Sequence, residues 1–212
     1  MNNPLLETFT RPAFSRIKPE HVIPAIDTII ESNRNAIKNL LSTPENHNWD
    51  SLISVLDDLD DRVGKAWSPV SHLNAVTNSD EIRNAYNACL PKLTEYSTEL
   101  GQNEALYEAY QNLAKSDFFA TLQPAQQQVI HHALRDFRLS GVSLPVEQKE
   151  TYKKLASELA HLSSRFQDNV LDATQDYSQL ITDASRLAGL PDSALAAARQ
   201  SAANKGQEGD LL

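Results

Sequence analysis

The sequence predicts an all-α fold: a multi-helix bundle of about seven helices, one of them long and lying near residues 145–181, with no sheet. Two observations carry this. From Pro145 to Ile181 the apolar residues Tyr152, Leu155, Leu159, Leu162, Phe166, Val170, Ala173, Tyr177 and Leu180 recur at steps of three and four, which places them on one stripe of an α-helix. Elsewhere no segment sustains alternation of period two, and only 6 of the 212 residues are glycine, both of which argue against a sheet protein.

The elements follow in order. Residues 1–18 read as an extended arm, because Pro4, Pro12 and Pro19 interrupt any helix, while Leu5, Leu6, Phe9, Phe14 and Ile17 supply apolar surface for lying along a body. Residues 19–212 read as one helical domain. Pro19-Glu20-His21 suggests a turn into a helix from Val22, with Pro24 tolerated in its first turn and Val22, Ile26, Ile29, Ile30, Ile37, Leu40 and Leu41 inward. Ser42-Thr43-Pro44 ends it. Asn48 suits the N-cap of a second helix from Trp49, with Leu52, Leu56, Leu59, Val63, Ala66 and Val70 as its stripe. Asp57, Asp58, Asp60 and Asp61 fall on the opposite arc. A straight helix splays such side chains outward, so they read as a solvated face and not as a cation site. Pro69 is expected to kink or break this helix and so to re-aim Ser71, His72 and Asn74.

Asn78 and Glu81 are spaced as a capping box for a third helix, which buries Ile82, Tyr86, Cys89, Leu90, Leu93, Tyr96 and Leu100, bends at Pro91 and ends at Gly101. Cys89 on that stripe reads as a buried, inert thiol. Asn103 caps a short fourth helix carrying Leu106, Tyr107, Tyr110 and Leu113. A fifth starts near Pro124, turns Val129, Ile130, Ala133, Leu134 and Phe137 inward, and meets a C-capping Gly141. Pro145 and Glu147 suit the first turn of the long helix. At 1.5 Å per residue that helix runs roughly 50 Å, and its seam offers more apolar surface than one small bundle covers. After Leu190-Pro191 an alanine-rich helix continues through Ala203 and stops at Gly206. Two apolar residues, Leu211-Leu212, after a polar Gly-Gln-Glu-Gly-Asp run read as the first step of another element, which predicts a chain cut from a longer one.

Composition narrows the function classes. No apolar run approaches the roughly 20 residues of a membrane span, and the first residues lack a basic and then apolar signal pattern. With a single cysteine, this predicts a cytoplasmic protein with no membrane partner. A net charge of −9 argues against nucleic-acid binding. His21, His47, His72, His131, His132 and His161 include no H-E-x-x-H and no pair four apart, so no zinc-ligand set is present. Gly141-Val142-Ser143-Leu144-Pro145 lacks the second glycine and the preceding strand of a nucleophile elbow. The residues by themselves show no catalytic site and no metal site.

A resemblance adds to this. Asn3-Pro4-Leu5-Leu6, Phe14-Ser15, Ile17-Lys18-Pro19-Glu20-His21-Val22-Ile23-Pro24-Ala25, Ser68-Pro69-Val70-Ser71-His72-Leu73-Asn74 and Glu95-Tyr96-Ser97 are similar to the N-terminal region of the zinc metallo-oligopeptidases of the oligopeptidase A and thimet oligopeptidase type. So are Arg135-Asp136-Phe137-Arg138-Leu139-Ser140-Gly141 with Leu144-Pro145, Asn169-Val170-Leu171-Asp172-Ala173-Thr174, Leu187-Ala188-Gly189-Leu190-Pro191 and Ser193-Ala194-Leu195-Ala196-Ala197-Ala198. The order and spacing of these segments carry the likeness from residue 2 to the end.

The resemblance implies a non-catalytic N-terminal part that forms one wall of a substrate channel for short peptides. The zinc and the catalytic residues would lie in a C-terminal catalytic domain absent here, so the chain alone would be inactive and hold no cofactor. It makes Ser71, His72, Asn74, Arg135, Asp136, Asn169 and Asp172, polar residues of the family-like segments, candidates for channel-side or interdomain positions. The alternative from a different class is a free-standing helical adaptor that binds a partner helix along the long seam. A self-contained enzyme would need a buried carboxylate pair that no motif marks.

Overall fold

Helix α1, Pro19–Ser42, begins at the proline and not at Val22: Pro19 takes the first position, where no backbone N–H is needed. The computed structural model describes residues 3–42 and 47–211, so Thr43-Pro44, expected to stop α1, and Leu212 of the expected apolar ending lie outside the described residues. The chain forms two compact units, Met1–Ser164 and Arg165–Leu212.

In the first unit, Asn3 pins the start of the arm. Its Nδ2 donates to His21 O at 2.8 Å, and its Oδ1 accepts from Leu5 N at the head of a 3₁₀ turn, Pro4–Leu6. Leu5 is buried in the largest core cluster with Val22, Ile26, Ile30, Val70 and Cys89. A second 3₁₀ turn, Phe14–Arg16, is tied back by a bidentate Arg16–Glu7 pair. The Glu7 carboxyl lies below its usual range because it accepts from that guanidinium.

Asn48 caps as its sequence suggests, forming a reciprocal capping box with Ser51, but the turn it opens, Trp49–Ile53, is π-helical. Helix α2, Ser54–Val76, follows and passes through Pro69 without breaking. Asp57, Asp58, Asp60 and Asp61 are exposed, and Asp61 pairs with Lys65 one turn on. Helix α3, Asp80–Gly101, is capped by Ser79 and not by Asn78. The reason is local: Asn78 Nδ2 is engaged backwards on Asn74 O and Oδ1, at 2.8 and 2.9 Å, so the Ser79 hydroxyl receives Ile82 N. Glu81 still serves the cap, its carboxyl lowered by its own backbone N–H and by Ser79. Trp67 of α2 stacks on Tyr86 of α3 at 4.6 Å.

Helix α4, Glu104–Lys115, starts as expected from Asn103, whose Oδ1 accepts from Leu106 N. Helix α5, Pro124–Leu139, opens on a Gln123/Gln126 capping box. Its end is a Schellman motif: Gly141 N donates to Arg138 O and Val142 N to Phe137 O, both at 3.1 Å. Gly141 adopts φ +82°, and a Cβ there would stand 2.5 Å from Leu144 Cδ1. Gly141→Ala should therefore destabilise the chain by about 2 kcal/mol or more, strain and clash together, read by urea unfolding. Gly101 is held against the same corner, where a Cβ would meet Ser140 at 2.7 Å, and Gln102 Nε2 donates to Ser140 O.

Helix α6 spans Val146–Asp176, and its residues through Ser164 belong to the first unit. Its apolar seam is left largely uncovered, in line with an apolar stripe longer than one small bundle needs. Leu155, Leu159 and Leu162 are 61%, 66% and 51% exposed. The face turned to the bundle mixes half-buried Ala156 and Ala160 with polar residues: Lys149 pairs with Glu104 at 2.5 Å, Lys153 with Glu95 at 2.6 Å, and Ser164 Oγ donates to Asn87 Oδ1 at 2.8 Å. At 100° per residue these positions lie roughly 130° round the helix from the leucine seam. The bundle offers Glu95, Glu104 and Asn87 as partners, so the small and polar face is turned to it and the leucines are left outward.

In the second unit α6 ends at Asp176, not Ile181. Phe166, Val170 and Tyr177 are exposed there too. Leu180–Ile181 forms strand β1 and pairs antiparallel with β2, Asp210–Leu211, with Leu180 opposite Leu211. This short ladder corrects the expectation of no sheet. A two-residue ladder is too brief to register as alternation. Helix α7, Asp192–Asn204, ends just before Gly206 and buries Ala198 and Ala202. Ile181, Leu187 and Leu211 are the other buried apolar residues among the described residues of this unit. Buried Asp210 lies 3.3 Å from Arg199 Nε, without hydrogen-bond geometry.

Candidate functional site

The polar candidates fall into three sets. Ser71, His72 and Asn74 lie in the last turns of α2. Phe14 of the arm meets the His72 ring at 5.4 Å, so His72 seats the arm on α2, whereas Asn74 accepts from Asn78 at the α2–α3 corner. Arg135 and Asp136 stand together on α5: Arg135 Nε donates to Asp136 Oδ1 at 2.8 Å, and both side chains are more than half exposed. Among the described residues no hydrogen bond, ion pair or ring contact joins these two sets. Asn169 and Asp172 lie on the α6 segment of the second unit, Asn169 exposed and Asp172 half-buried.

Cys89 is fully buried and its thiol is pushed up to about 11, chiefly by burial, against a lowering by Lys92. A thiol that stays protonated at neutral pH is a poor nucleophile, which matches the inert reading. Among the described residues no group of three His, Cys, Asp or Glu stands together. With no H-E-x-x-H in the sequence, these residues do not fit a zinc centre, and no chemistry of this chain is derived through one. Among the described residues no helix is long and apolar enough to cross a membrane.

Sequence reasoning missed one feature. Asn33, in the middle of the α1 stripe, is fully buried: its Nδ2 donates to Leu59 O of α2 at 2.8 Å, while its Oδ1 makes no hydrogen bond. The Asn33 carboxamide also acts on the Tyr96 phenol, opposing the burial that raises it. An asparagine at an inward position of an apolar stripe was the available signal. The outward seam of α6, which the sequence marks as more apolar than one bundle covers, is the largest set of exposed apolar side chains among the described residues.

The family model for the N-terminal domain of neurolysin and thimet oligopeptidase matches residues 26–149, more than half of the chain. The chain belongs to that family. Oligopeptidase A of Salmonella typhimurium is 48% identical over all 212 residues, which cover 31% of that relative. Oligopeptidase A of Escherichia coli is 46% identical over the same 212 residues, again 31% of the relative. Oligopeptidase A of Haemophilus influenzae is 48% identical over 209 residues, 99% of this chain and 30% of the relative. The chain thus corresponds to the N-terminal domain of an oligopeptidase A-type peptidase, and spans about a third of the length of the curated relatives it matches.

Proposed function

We propose that this chain is the non-catalytic N-terminal part of a zinc-dependent, cytoplasmic oligopeptidase that hydrolyses short peptides, and that it forms one wall of the substrate channel. The observation that supports this most is the apolar seam of α6, taken with a likeness of 46–48% identity to proteins about three times as long. A row of apolar side chains running from Leu155 to Tyr177, each 50–72% exposed, is the kind of contiguous patch that marks an interaction surface. The remaining two-thirds of an oligopeptidase A-type chain is the natural cover. In this reading the C-terminal catalytic domain is the partner, zinc belongs to it, and this chain supplies shape and polar lining alone.

The reading frame beyond Leu212 is the first test. An H-E-x-x-H downstream supports the proposal, whereas a stop codon there overturns it and favours the adaptor, in which a partner helix takes the same seam. The second test concerns the polar candidates. In the full-length enzyme, Arg135→Ala or Asn169→Ala should raise peptide KM several-fold, roughly 1 kcal/mol of binding, with the melting temperature unmoved. An unchanged KM with a lowered melting temperature would show that these residues serve stability only.

A further inference from the structure

Of the 31 residues of α6 only Ser164 is buried. Along the helix Tyr152, Leu155, Leu159, Leu162 and Phe166 recur at steps of three, four, three and four. That is the repeat of a two-stranded coiled coil, with Leu155 and Leu162 at one core position and the other three at the second. Leu155, Leu159, Leu162 and Phe166 are each more than half exposed. The repeat breaks at Val170, four residues after Phe166, so the coiled-coil stretch is about two heptads long. The contacts with the bundle lie roughly 130° round the helix, so the bundle leaves this seam open to a second helix.

The flanks of the seam select the second helix. Glu158 directly precedes Leu159 and Arg165 directly precedes Phe166, so the two charges share one flank, two turns and roughly 10 Å apart along the axis. Both are exposed, and among the described residues neither side chain has a hydrogen-bond or ion-pair partner. The opposite flank is small and uncharged, Ala156 and Ser163. When a second α6 lies antiparallel on the seam, Leu155 meets Phe166 of the second copy and Leu159 meets its Leu162. Like flanks then face each other, so Glu158 reaches Arg165 of the second copy, and the two-fold axis makes this pair twice. A parallel alignment sets Glu158 against Ser163 and leaves both charges unmatched. The flank is thus its own complement when the second helix is a copy running the other way. We propose that α6 is a homodimerisation surface, on which two copies of this chain pair as an antiparallel coiled coil with two Glu158–Arg165 pairs across it. The helix is already formed in the monomer, so pairing costs no helix ordering, but two heptads make a small interface. The dimer is therefore weak, with a dissociation constant of about 10–100 μM. This inference does not rest on the peptidase reading: any portion of a longer chain that covered the seam would compete with the second copy.

The test is sedimentation equilibrium of the 212-residue chain from about 1 to about 500 μM. The chain should be a monomer at the low end and a monomer–dimer mixture at the high end. Leu159→Asp, at an exposed position, should abolish the dimer while leaving the circular-dichroism melt of the dilute chain in place. Glu158→Arg alone sets arginine against arginine across the interface, and Arg165→Glu alone sets glutamate against glutamate. Each should weaken the dimer roughly tenfold or more, and the two changes together should restore it to within about threefold. An equal mixture of the two single variants should also associate, because their charges match each other. A monomer over the whole range, association that continues beyond the dimer, indifference to the single charge changes, or no rescue by the double exchange would each overturn the proposal.

Discussion

Between pH 9 and pH 12 the folded chain should lose roughly 5 kcal/mol of stability, enough to unfold a typical domain. Two buried acids carry most of the effect, and the Tyr96 phenol, also raised chiefly by burial, adds to it in the same direction. The Cys89 thiol rises from 9.0 to about 11 and the Tyr110 phenol from 10.0 to about 12, both chiefly through burial. Below pH 9 each group is neutral in the folded and unfolded chain alike, so neither contributes a pH dependence. Above it the unfolded chain releases both protons at their ordinary values, while the folded chain holds them until about 11 and 12. The unfolded state is therefore the one favoured by rising pH, at about 1.4 kcal/mol per unit of separation for each group. Urea unfolding at pH 8, 10 and 12 reads this directly. Tyr110→Phe, which keeps the ring and removes the acid, should roughly halve the fall. A stability that stays flat to pH 12 would mean that neither group is as enclosed as its burial in the structure implies.

The legible parts of the fold are the local ones. Asn48 and Asn103 mark helix starts because an N-cap needs only a side chain two or three residues from the amide it accepts. Gly141 marks an end because a positive φ is a demand on one residue. The cap of α3 misled by one position, since nothing in the spacing of Asn78 and Glu81 tells that Asn78 is already engaged with Asn74. The same limit applies on a larger scale to α6. Hydropathy shows which face of a helix would gain from burial, but not which face the rest of the chain can receive. The contacts that seat α6 join Lys149 to Glu104 and Lys153 to Glu95, 45 and 58 residues apart, beyond any local pattern. The candidate residues were legible as polar members of ordered segments, yet their partners were not. Adjacent side chains on a helix ordinarily point apart, so the Arg135–Asp136 bond is not a spacing rule's product. A cleft lined from α1 to α5 depends on five helices at once and leaves no trace in any one of them.

Ile26→Ala should cost about 3–4 kcal/mol, whereas Leu162→Ala should change stability by no more than about 0.5 kcal/mol. In an amphipathic-helix reading the two positions are alike, each a large aliphatic residue on the apolar stripe of its helix. The structure separates them. Ile26 is 0% exposed in the largest core cluster, where truncation leaves a cavity among Val22, Ile30 and Val70. Leu162 is 51% exposed, so its truncation removes little buried surface, and alanine is the better helix former. Paired urea denaturations at low protein concentration would compare them. Equal costs would mean that the seam is covered in solution, and raising the concentration would then show whether a second copy is the cover. Unequal costs in this chain, becoming similar when the same two changes are placed in a full-length oligopeptidase A-type protein, would show that the seam is buried by the portion this chain lacks. The seam would then count as half of an interior and not as a surface, which is the physical content of calling this chain an N-terminal domain.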